Sequence, residues 1–345
     1  MASAVALDQW ASDAAGIVWQ EVEQAPRSTF AMIRQRAGYR FGQWAMTRQV
    51  RAALAAHRKG PEAFAAFLAR ARAWHDRYDR PILGMVDAEA VRMTSPPTSA
   101  PPPVPADWFA PRKQKPHGIL FYVHGGSFVA ERSPRITQLV ARFAAAAGAS
   151  VFAPSYRLAP EHPCPAAIDD IVTALRWFRG EWPDEPVVAL AESAGSAILL
   201  AALQTLRDDG DELPSGIVLL SPWIDLSLQS WSIMAASIAR TSPHTMESLG
   251  MFAQFYLQGR SPTDPLASPI FGSFEQFPPM LIHASRSDIL YDDSVRLADR
   301  VREADGRLTV RHWADETHVW ERMNTPGARE SIRMAADFIR QRLDA

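Results

Sequence analysis

Short apolar segments alternate with helical patterns from about residue 116 to the end of the chain. The apolar segments are rich in Val, Ile, Leu and Phe and lack the strict alternation of a strand with one exposed face. Strands buried on both faces and separated by helices predict an α/β fold, with a mostly parallel central sheet flanked by helices. Ligands of such sheets bind beyond the carboxyl ends of the strands, so the loops there are the first place to search for a site. The predicted strands are 118–123, 150–154, 187–191, 216–220, 280–284 and 308–313.

The N-terminal part of the chain departs from this alternation. Residues 1–85 are predicted to be helical, because apolar side chains such as Ile17, Val18 and Phe64 recur there at helical spacing. We therefore divide the chain into an N-terminal helical region and an α/β domain that covers residues 86–345.

A long interval interrupts the alternation inside the α/β domain. About 58 residues separate strands 216–220 and 280–284, far more than a usual crossover connection contains. This interval is crowded with aromatic, Met and Ile residues. We predict an apolar insertion there, at about residues 226–262.

Composition and charge exclude several classes of function. The chain has 36 Lys and Arg against 38 Asp and Glu, so its formal charge of −2 gives no electrostatic basis for a nucleic-acid partner. Its one cysteine, Cys164, cannot form an intrachain disulfide. The first twenty residues carry no Lys or Arg, unlike a signal or transit peptide. No apolar stretch of about 18 residues predicts a membrane-spanning helix, and we expect a cytoplasmic protein.

A serine stands between a predicted strand and a predicted helix in the segment Ala191-Glu192-Ser193-Ala194-Gly195. On such a turn the hydroxyl is exposed above the sheet, and small neighbouring residues let strand and helix approach closely. The segment matches the nucleophile elbow G-x-S-x-G, except that Ala191 replaces the first glycine, which we expect to strain the turn somewhat. The alternative is an ordinary serine at a helix N-cap.

A turn that contains two glycines follows the first predicted strand of the alternation, in the segment 124–128 (His-Gly-Gly-Ser-Phe). Acyl transfer builds negative charge on a carbonyl oxygen, and glycines let backbone N–H groups turn inward to stabilise that charge. The segment therefore predicts an oxyanion hole, which the N–H of Ala194 would complete. A simple tight turn after a strand would also use glycine.

Two residues further along the chain supply an acid and a base in the order that this fold requires. A nucleophilic serine needs a histidine as its base and an acid that orients the histidine. Asp288 follows strand 280–284 and His318 follows strand 308–313, so both lie on loops at carboxyl ends of strands. One helix and one strand between them return the chain to the same edge, and we predict that both side chains converge on Ser193.

Other acids and histidines compete for these roles. The competing residues are Asp292, Asp293, Asp315, Glu316, His283 and His312. The first pair of acids stands where a helix begins and is predicted to N-cap it, whereas the second pair is too close in sequence to His318 to approach it from the opposite side. Both histidines are expected inside strands with structural roles. No metal is expected, because the spacing matches no H-E-x-x-H pattern and one cysteine removes thiolate sites.

Taken together, these segments resemble a known family. They are similar to the hormone-sensitive-lipase-like esterases of the α/β-hydrolase fold, also called bacterial family IV. The similarity covers roughly residues 60–343, and the combination is far more specific than any single motif. The segments that carry the resemblance are 124–128, 156–163 (Tyr-Arg-Leu-Ala-Pro-Glu-His-Pro), 192–195, 264–269 and 288–290.

The resemblance implies a serine carboxylester hydrolase that needs no cofactor. It implies Ser193 as the nucleophile, His318 as the general base and acid, and Asp288 as its orienting group. The N–H groups that would hold the oxyanion belong to Gly126, Ser127 and Ala194, with Gly125 shaping the turn.

The resemblance also implies a helical cap over the site, built from the N-terminal helices and the insertion. Two further departures from the family are Ser127, which replaces the last glycine of the usual His-Gly-Gly-Gly, and an N-terminus longer than usual by some forty residues.

The resemblance narrows the expected substrate to a small-molecule ester or lactone. Caps of this family favour short or bulky esters over long-chain fats, and segment 105–109 is similar to members that open monoterpene-type lactones. An acyltransferase and a non-catalytic ligand receptor remain alternatives. Strand 308–313 is expected to be an exposed edge that could form a homodimer. The expected pocket residues are Phe128, Trp223, Trp231, Met234, Phe255 and Trp320.

Overall fold

In the computed structural model, the described part of the chain forms a single sheet of nine strands. The structure describes residues 16–22, 47–71, 90–98, 101–112, 115–239 and 241–345. The strands are β1 (Ile17–Glu21), β2 (Val91–Thr94), β3 (Ala106–Pro111), β4 (Ile119–Val123), β5 (Ser150–Pro154), β6 (Val187–Glu192), β7 (Gly216–Leu220), β8 (Met280–Ser285) and β9 (Leu308–Trp313).

The sheet is mostly parallel, and its order is β1-β9-β8-β7-β6-β4-β5-β3-β2. The first seven strands in this order, β1 through β5, are parallel to one another. The last two are antiparallel, β3 to β5 and β2 to β3. Every residue of β4 to β8 is buried, because helices cover both faces. The predicted α/β fold with a mostly parallel central sheet is therefore confirmed.

Helices pack on the two faces of the sheet. Those of the alternating part are α3 (Pro134–Ala147), α4 (Ala166–Glu181), α5 (Gly195–Asp208), α8 (Tyr291–Glu303) and α9 (Pro326–Leu343), while α1 and α2 are helical residues 47–58 and 61–71. Apolar side chains of α3 and α9 form one buried layer, and those of α4, α5 and α8 form the other. None of the helices in the described ranges combines the length and apolar character needed to cross a membrane.

The insertion between β7 and β8 contains two helices, α6 (Trp231–Ala239) and α7 (Met246–Leu257), and a 3₁₀ turn follows at Pro269–Phe271. The capping box of Thr245 and Ser248 fixes the start of α7. We call residues 226–262 the cap insertion.

The first described segment corrects two expectations. Ile17 and Val18 lie in strand β1, not in a helix, because β1 pairs in parallel with β9 and buries Ile17. Sheet pairing and burial thus outweigh an apparent helical period in so short a segment. The expectation that strand 308–313 is an exposed edge is also wrong, since β1 covers that side of β9. Residues 1–15, 23–46 and 72–85 of the predicted helical region lie outside the described residues.

Candidate active site

Ser193 occupies a sharp turn between β6 and α5. Its φ of 49° is left-handed, which is rare for a residue with a side chain and often marks a functional position. The N–H of Ser193 donates to the Leu220 carbonyl over 3.0 Å, which ties the turn to β7. A Cβ on Gly195 would lie 2.5 Å from the Val123 carbonyl oxygen and close to that of His124. Only glycine therefore lets the first residue of α5 pack against the end of β4.

Ala191 does not strain this turn, contrary to the expectation from its sequence. It lies inside β6, where it pairs with Val123 of β4 and Leu219 of β7. The left-handed residue of the segment is Ser193, two positions later. Because an extended strand residue tolerates a methyl side chain, the first position of the elbow accepts alanine as readily as glycine.

The structure brings Ser193, His318 and Asp288 together at the carboxyl edge of the sheet. The His318 Nε2 lies 2.8 Å from the Ser193 Oγ, and the His318 Nδ1 lies 2.9 Å from the Asp288 Oδ2. Asp288 follows β8 and His318 follows β9, as their positions in the sequence predicted. This arrangement lets the imidazole accept the serine proton while the carboxylate orients the ring.

The Asp288 carboxylate is held in its charged form. Burial alone would raise the pKa of Asp288, but His318, the N–H of Leu290 and the hydroxyl of Ser221 together lower it below its usual value. The Leu290 N–H donates to the Asp288 Oδ1 over 3.1 Å. An ionised acid next to the imidazole favours the proton on Nδ1, which leaves Nε2 free to accept one.

Ser221 is a site residue that the sequence analysis missed. It directly follows β7 with a φ of 45°, and its hydroxyl bonds to Asp288. The Ser221 Oγ also accepts the N–H of Val319, the residue next to His318, over 3.1 Å. One hydroxyl therefore positions both the acid and the histidine loop. The available signal was a serine directly after a fully buried strand, at the carboxyl edge of the sheet.

The turn after β4 has an unusual backbone. Gly126, Ser127 and Phe128 all have positive φ, at 134°, 52° and 67°. The Gly126 carbonyl accepts the N–H of Ala130 over 3.0 Å, and a Cβ on Gly126 would lie 2.5 Å from the Ala130 carbonyl oxygen. The glycine is therefore required, whereas the next position accommodates serine.

Three backbone N–H groups at this turn and at the elbow are available to a ligand. Within the described residues, no protein acceptor faces the N–H groups of Gly126, Ser127 or Ala194. The N–H of Gly125 is different, because it donates to the Glu192 carboxylate over 3.3 Å. Gly125 therefore anchors the turn, and the other three donors match those required by a developing oxyanion.

Comparison with known proteins assigns this arrangement to a family. Residues 120–322 match the family described as having the α/β hydrolase fold. The chain belongs to this family. Its relatives and structural neighbours are esterases and related hydrolases, and the chain is a carboxylic ester hydrolase.

Two relatives illustrate the similarity in sequence. An acetyl-hydrolase of Streptomyces hygroscopicus is 35% identical over 238 residues, which are 68% of this chain and 79% of the relative. An esterase of Acinetobacter venetianus is 29% identical over 226 residues, which are 64% of this chain and 74% of the relative.

Solved structures show the same likeness. An esterase from the bacterial hormone-sensitive lipase family has a TM-score of 0.71 and 28% identity, and the match covers 87% of this chain and 98% of that one. The protein EstE5, in a crystal soaked with p-nitrophenyl butyrate, has a TM-score of 0.69 and 28% identity, and the match covers 79% of this chain and 92% of that one.

A buried ion pair lies directly behind the hydrolase's elbow. Glu192 is fully buried, and its Oε2 accepts the Arg322 Nε–H over 2.8 Å. Burial would raise the pKa of Glu192, but Arg322, Tyr122 and the N–H of Gly125 lower it below its usual value. No local pattern in the sequence points to Arg322, because its partner lies 130 positions away.

Of the expected pocket residues, two lie beside the elbow. Phe128 and Trp223 are buried, with ring centroids 5.2 Å apart, and Phe128 stacks on Tyr256 at 4.0 Å. The backbone N–H of Trp223 donates to the Ser193 carbonyl over 3.1 Å. This aromatic cluster of Phe128, Trp223 and Tyr256 therefore adjoins the nucleophile.

The other expected pocket residues lie elsewhere. Trp231 and Met234 on α6 are 68% and 38% exposed, so they do not join the aromatic cluster. Trp320 is completely buried against Trp313, in a separate cluster. Phe255 of α7 stacks on Phe64 of α2, at 4.1 Å between ring centroids.

The predicted N-caps are wrong. Helix α8 has Leu290 at its N-cap position, with no side-chain hydrogen bond. Asp293 is instead buried and accepts the N–H groups of Ile224 and Asp225, because these otherwise unsatisfied donors of the loop after β7 face it. Asp292 accepts the N–H of Ser232 in the first turn of α6, so it caps another helix.

The two histidines set aside as structural lie in strands. His283 is completely buried and its Nδ1 lies 2.7 Å from the Ser331 Oγ, whereas His312 contacts Arg286 and Tyr291. In the described part of the chain, no group of three or more His, Cys, Asp or Glu residues is arranged to hold a metal ion.

Proposed function

We propose that this hydrolase cleaves short-chain carboxylic esters through an acyl-Ser193 intermediate. The observation that carries the proposal is the contact of 2.8 Å between the His318 Nε2 and the Ser193 Oγ, with Asp288 bound to the other ring nitrogen. A serine hydroxyl is a weak nucleophile unless a base removes its proton during attack.

The proposed reaction has two halves. In the first, the Ser193 oxygen bonds to the ester carbonyl carbon, its proton moves to the His318 Nε2, and the carbonyl oxygen becomes an oxyanion. The alkoxide then leaves with the proton from Nε2. In the second half, water adds to the acyl group by the same route, releasing the free acid and restoring the serine. The free N–H groups at residues 126, 127 and 194 support oxyanion stabilisation, where one donor contributes about 3 kcal/mol.

The aromatic cluster supports a short acyl group. Phe128 directly follows Gly126 and Ser127, two of the proposed oxyanion donors. The backbone N–H of Trp223 donates to the Ser193 carbonyl. These rings and that of Tyr256 are buried against each other, so they close space next to the nucleophile. The acetyl-hydrolase of Streptomyces hygroscopicus is a relative whose name specifies such a short acyl group.

We also propose that the N-terminal helices and the cap insertion form one cap. Phe64 and His57 both pack on Phe255 of α7, at 4.1 and 5.1 Å between ring centroids. Arg58 forms an ion pair with Glu247 at the start of the same helix. These contacts join residues 47–71 to the insertion at the end of the sheet that carries the site.

The proposal is tested with p-nitrophenyl esters whose acyl chains have two, four and ten carbons. We expect hydrolysis of the two shorter esters, an acetyl adduct on Ser193 by mass spectrometry after rapid quenching, and loss of turnover in Ser193→Ala and His318→Ala. Ser155→Ala is the matched control, because this serine is exposed and, unlike Ser193, makes no hydrogen bond with His318. Unchanged turnover in Ser193→Ala would refute the assignment.

The same experiment separates the alternative reactions. A lactone opened faster than every open-chain ester would identify a lactone hydrolase. Products formed with an added alcohol or amine, at the expense of free acid, would identify an acyltransferase. Tight binding of a small molecule with neither turnover nor covalent labelling would identify a receptor.

A further inference from the structure

A second histidine lies next to the proposed base. His244 belongs to the cap insertion, and its ring centroid is 6.5 Å from that of His318, with the two planes at 79°. It has no role in the proposed mechanism. A residue of the cap insertion this close to the proposed base is placed to contact an ester bound there.

His244 is held firmly in this position. Its backbone N–H donates to the Ser242 Oγ over 3.2 Å, and it directly precedes Thr245, whose capping box fixes the start of α7. The ring also contacts Phe252 of α7, edge to face at 6.4 Å between ring centroids. The ring is therefore ordered before any ligand binds, which lowers the entropic cost of a contact.

The imidazole of His244 has unused hydrogen-bonding capacity. Its Nδ1 is buried and meets no partner among the residues that the structure describes. Burial lowers the pKa of His244 to about 4; His318 and Arg322 lower it too, and Asp288 acts in the opposite direction. At neutral pH the ring is therefore uncharged and carries one N–H donor and one lone pair. A buried polar atom without a partner is costly, and a ligand that supplies the partner recovers that cost.

The proposed mechanism decides which part of an ester meets this ring. The leaving oxygen takes its proton from the His318 Nε2, so it must lie against that atom in the transition state. Atoms one or two bonds beyond the leaving oxygen then extend past His318 toward its neighbours. His244 is the neighbour that comes from the cap.

We infer that His244 selects esters whose alcohol part carries a neutral hydrogen-bonding group, such as a hydroxyl or an amide, close to the ester oxygen. This inference rests on the proposed function and names the substrate class for it. The uncharged imidazole offers one donor and one acceptor but no opposite charge, so a neutral polar group can pair with it without the cost of burying an uncompensated charge. A purely apolar alcohol would leave the Nδ1 unsatisfied in the complex.

The test compares 2-hydroxyethyl acetate with n-propyl acetate, which differ only by a hydroxyl in place of a methyl group. The measured quantity is the ratio of their kcat/KM values, compared between enzymes so that the intrinsic reactivity of each ester cancels. We expect His244→Phe to lower this ratio about tenfold, the usual effect of one hydrogen bond together with an unpaired polar group. The kcat/KM for n-propyl acetate should change less than about threefold, because phenylalanine keeps the edge contact with Phe252.

The matched control is His57→Phe. This histidine is also edge to face with a phenylalanine, Phe255, but it lies on α1 and makes no ring contact with His318. We expect it to leave the ratio unchanged. His244→Asn, which retains polar atoms, should keep part of the preference, and it decides the question if the phenylalanine variant fails to fold.

The outcomes are distinct. An unchanged ratio in His244→Phe, or an equal loss for both esters, would overturn the inference while leaving the hydrolase assignment intact. So would a wild-type enzyme that hydrolyses p-nitrophenyl acetate but neither alkyl acetate. A wild-type enzyme inactive on all three substrates would overturn the proposed function itself, and the inference with it.

Discussion

Arg322 donates a hydrogen bond of 2.8 Å to Glu192, the residue that directly precedes Ser193. The same carboxylate accepts the N–H of Gly125. Arg322 lies in the 3₁₀ turn Trp320–Arg322, just after His318. One buried ion pair therefore joins the elbow, the turn that carries the free N–H donors and the loop of the proposed base.

The first prediction concerns this ion pair. Glu192→Gln keeps the shape of the side chain but removes its charge. The Arg322 guanidinium then has no negatively charged partner at Glu192. We expect the free energy of unfolding to fall by about 3 kcal/mol, measured by urea denaturation, because removing one member of a buried pair leaves an uncompensated charge.

A surface pair provides the control for that experiment. Asp337 pairs with Arg333 and Arg340 on α9, where all three side chains are substantially exposed. Asp337→Asn should therefore change the free energy of unfolding by less than about 1 kcal/mol. Equal effects of the two substitutions would show that burial of Glu192 does not matter.

The second prediction concerns the positioning role of Ser221. Ser221→Ala removes the hydroxyl that bonds to Asp288 and accepts the Val319 N–H. We expect kcat to fall about tenfold with little change in KM, because the loss affects the orientation of the acid and the histidine loop and not substrate contacts. Ser221→Thr, which keeps a hydroxyl, should restore part of kcat. Equal kcat in wild type and Ser221→Ala would exclude the role.

The third prediction concerns the alanine at the first position of the elbow. Ala191→Gly restores the family pattern, yet Ala191 lies in a regular, fully buried strand. We expect a loss of about 0.5–1 kcal/mol in unfolding free energy, with kcat unchanged within about twofold, because glycine gains no needed conformation there. A clear rise in kcat would show that alanine does strain the turn.

The sequence was most informative where local pattern and chain order suffice. Short, mainly apolar segments identified the strands β4 to β8, since burial on both faces leaves a direct trace in composition. The chain order of serine, acid and histidine, each after a strand, singled out Ser193, Asp288 and His318, which the structure brings within hydrogen-bond distance. Their catalytic roles stay predictions until the variants are measured.

The sequence was least informative where one residue depends on a distant partner. The strand character of Ile17 comes from pairing with Leu308, and the role of Asp293 comes from two N–H groups in the loop after β7. Arg322 and Ser221 likewise acquire their roles only when separate strands assemble. No period or motif within a short window records such contacts.

The last prediction concerns the dependence of stability on pH. Glu321 is completely buried, and its Oε1 accepts the Ser331 hydroxyl over 2.7 Å. Burial raises the pKa of Glu321 to about 8, with Ser331 acting in the opposite direction.

The usual pKa of a glutamate in an unfolded chain is about 4.3, so between about pH 4.3 and pH 8 the native state holds a proton that the unfolded state has lost. The stability supplied by this group is complete below that range and falls as pH rises, by up to about 1.4 kcal/mol per pH unit. Glu321→Gln keeps an oxygen that accepts the Ser331 hydroxyl but cannot ionise. We therefore expect the unfolding free energy of this variant to fall less with rising pH than that of the wild type, and to exceed it at the alkaline end. The measurement is urea denaturation from pH 5 to 8.5. Parallel curves for the two proteins would contradict a protonated Glu321.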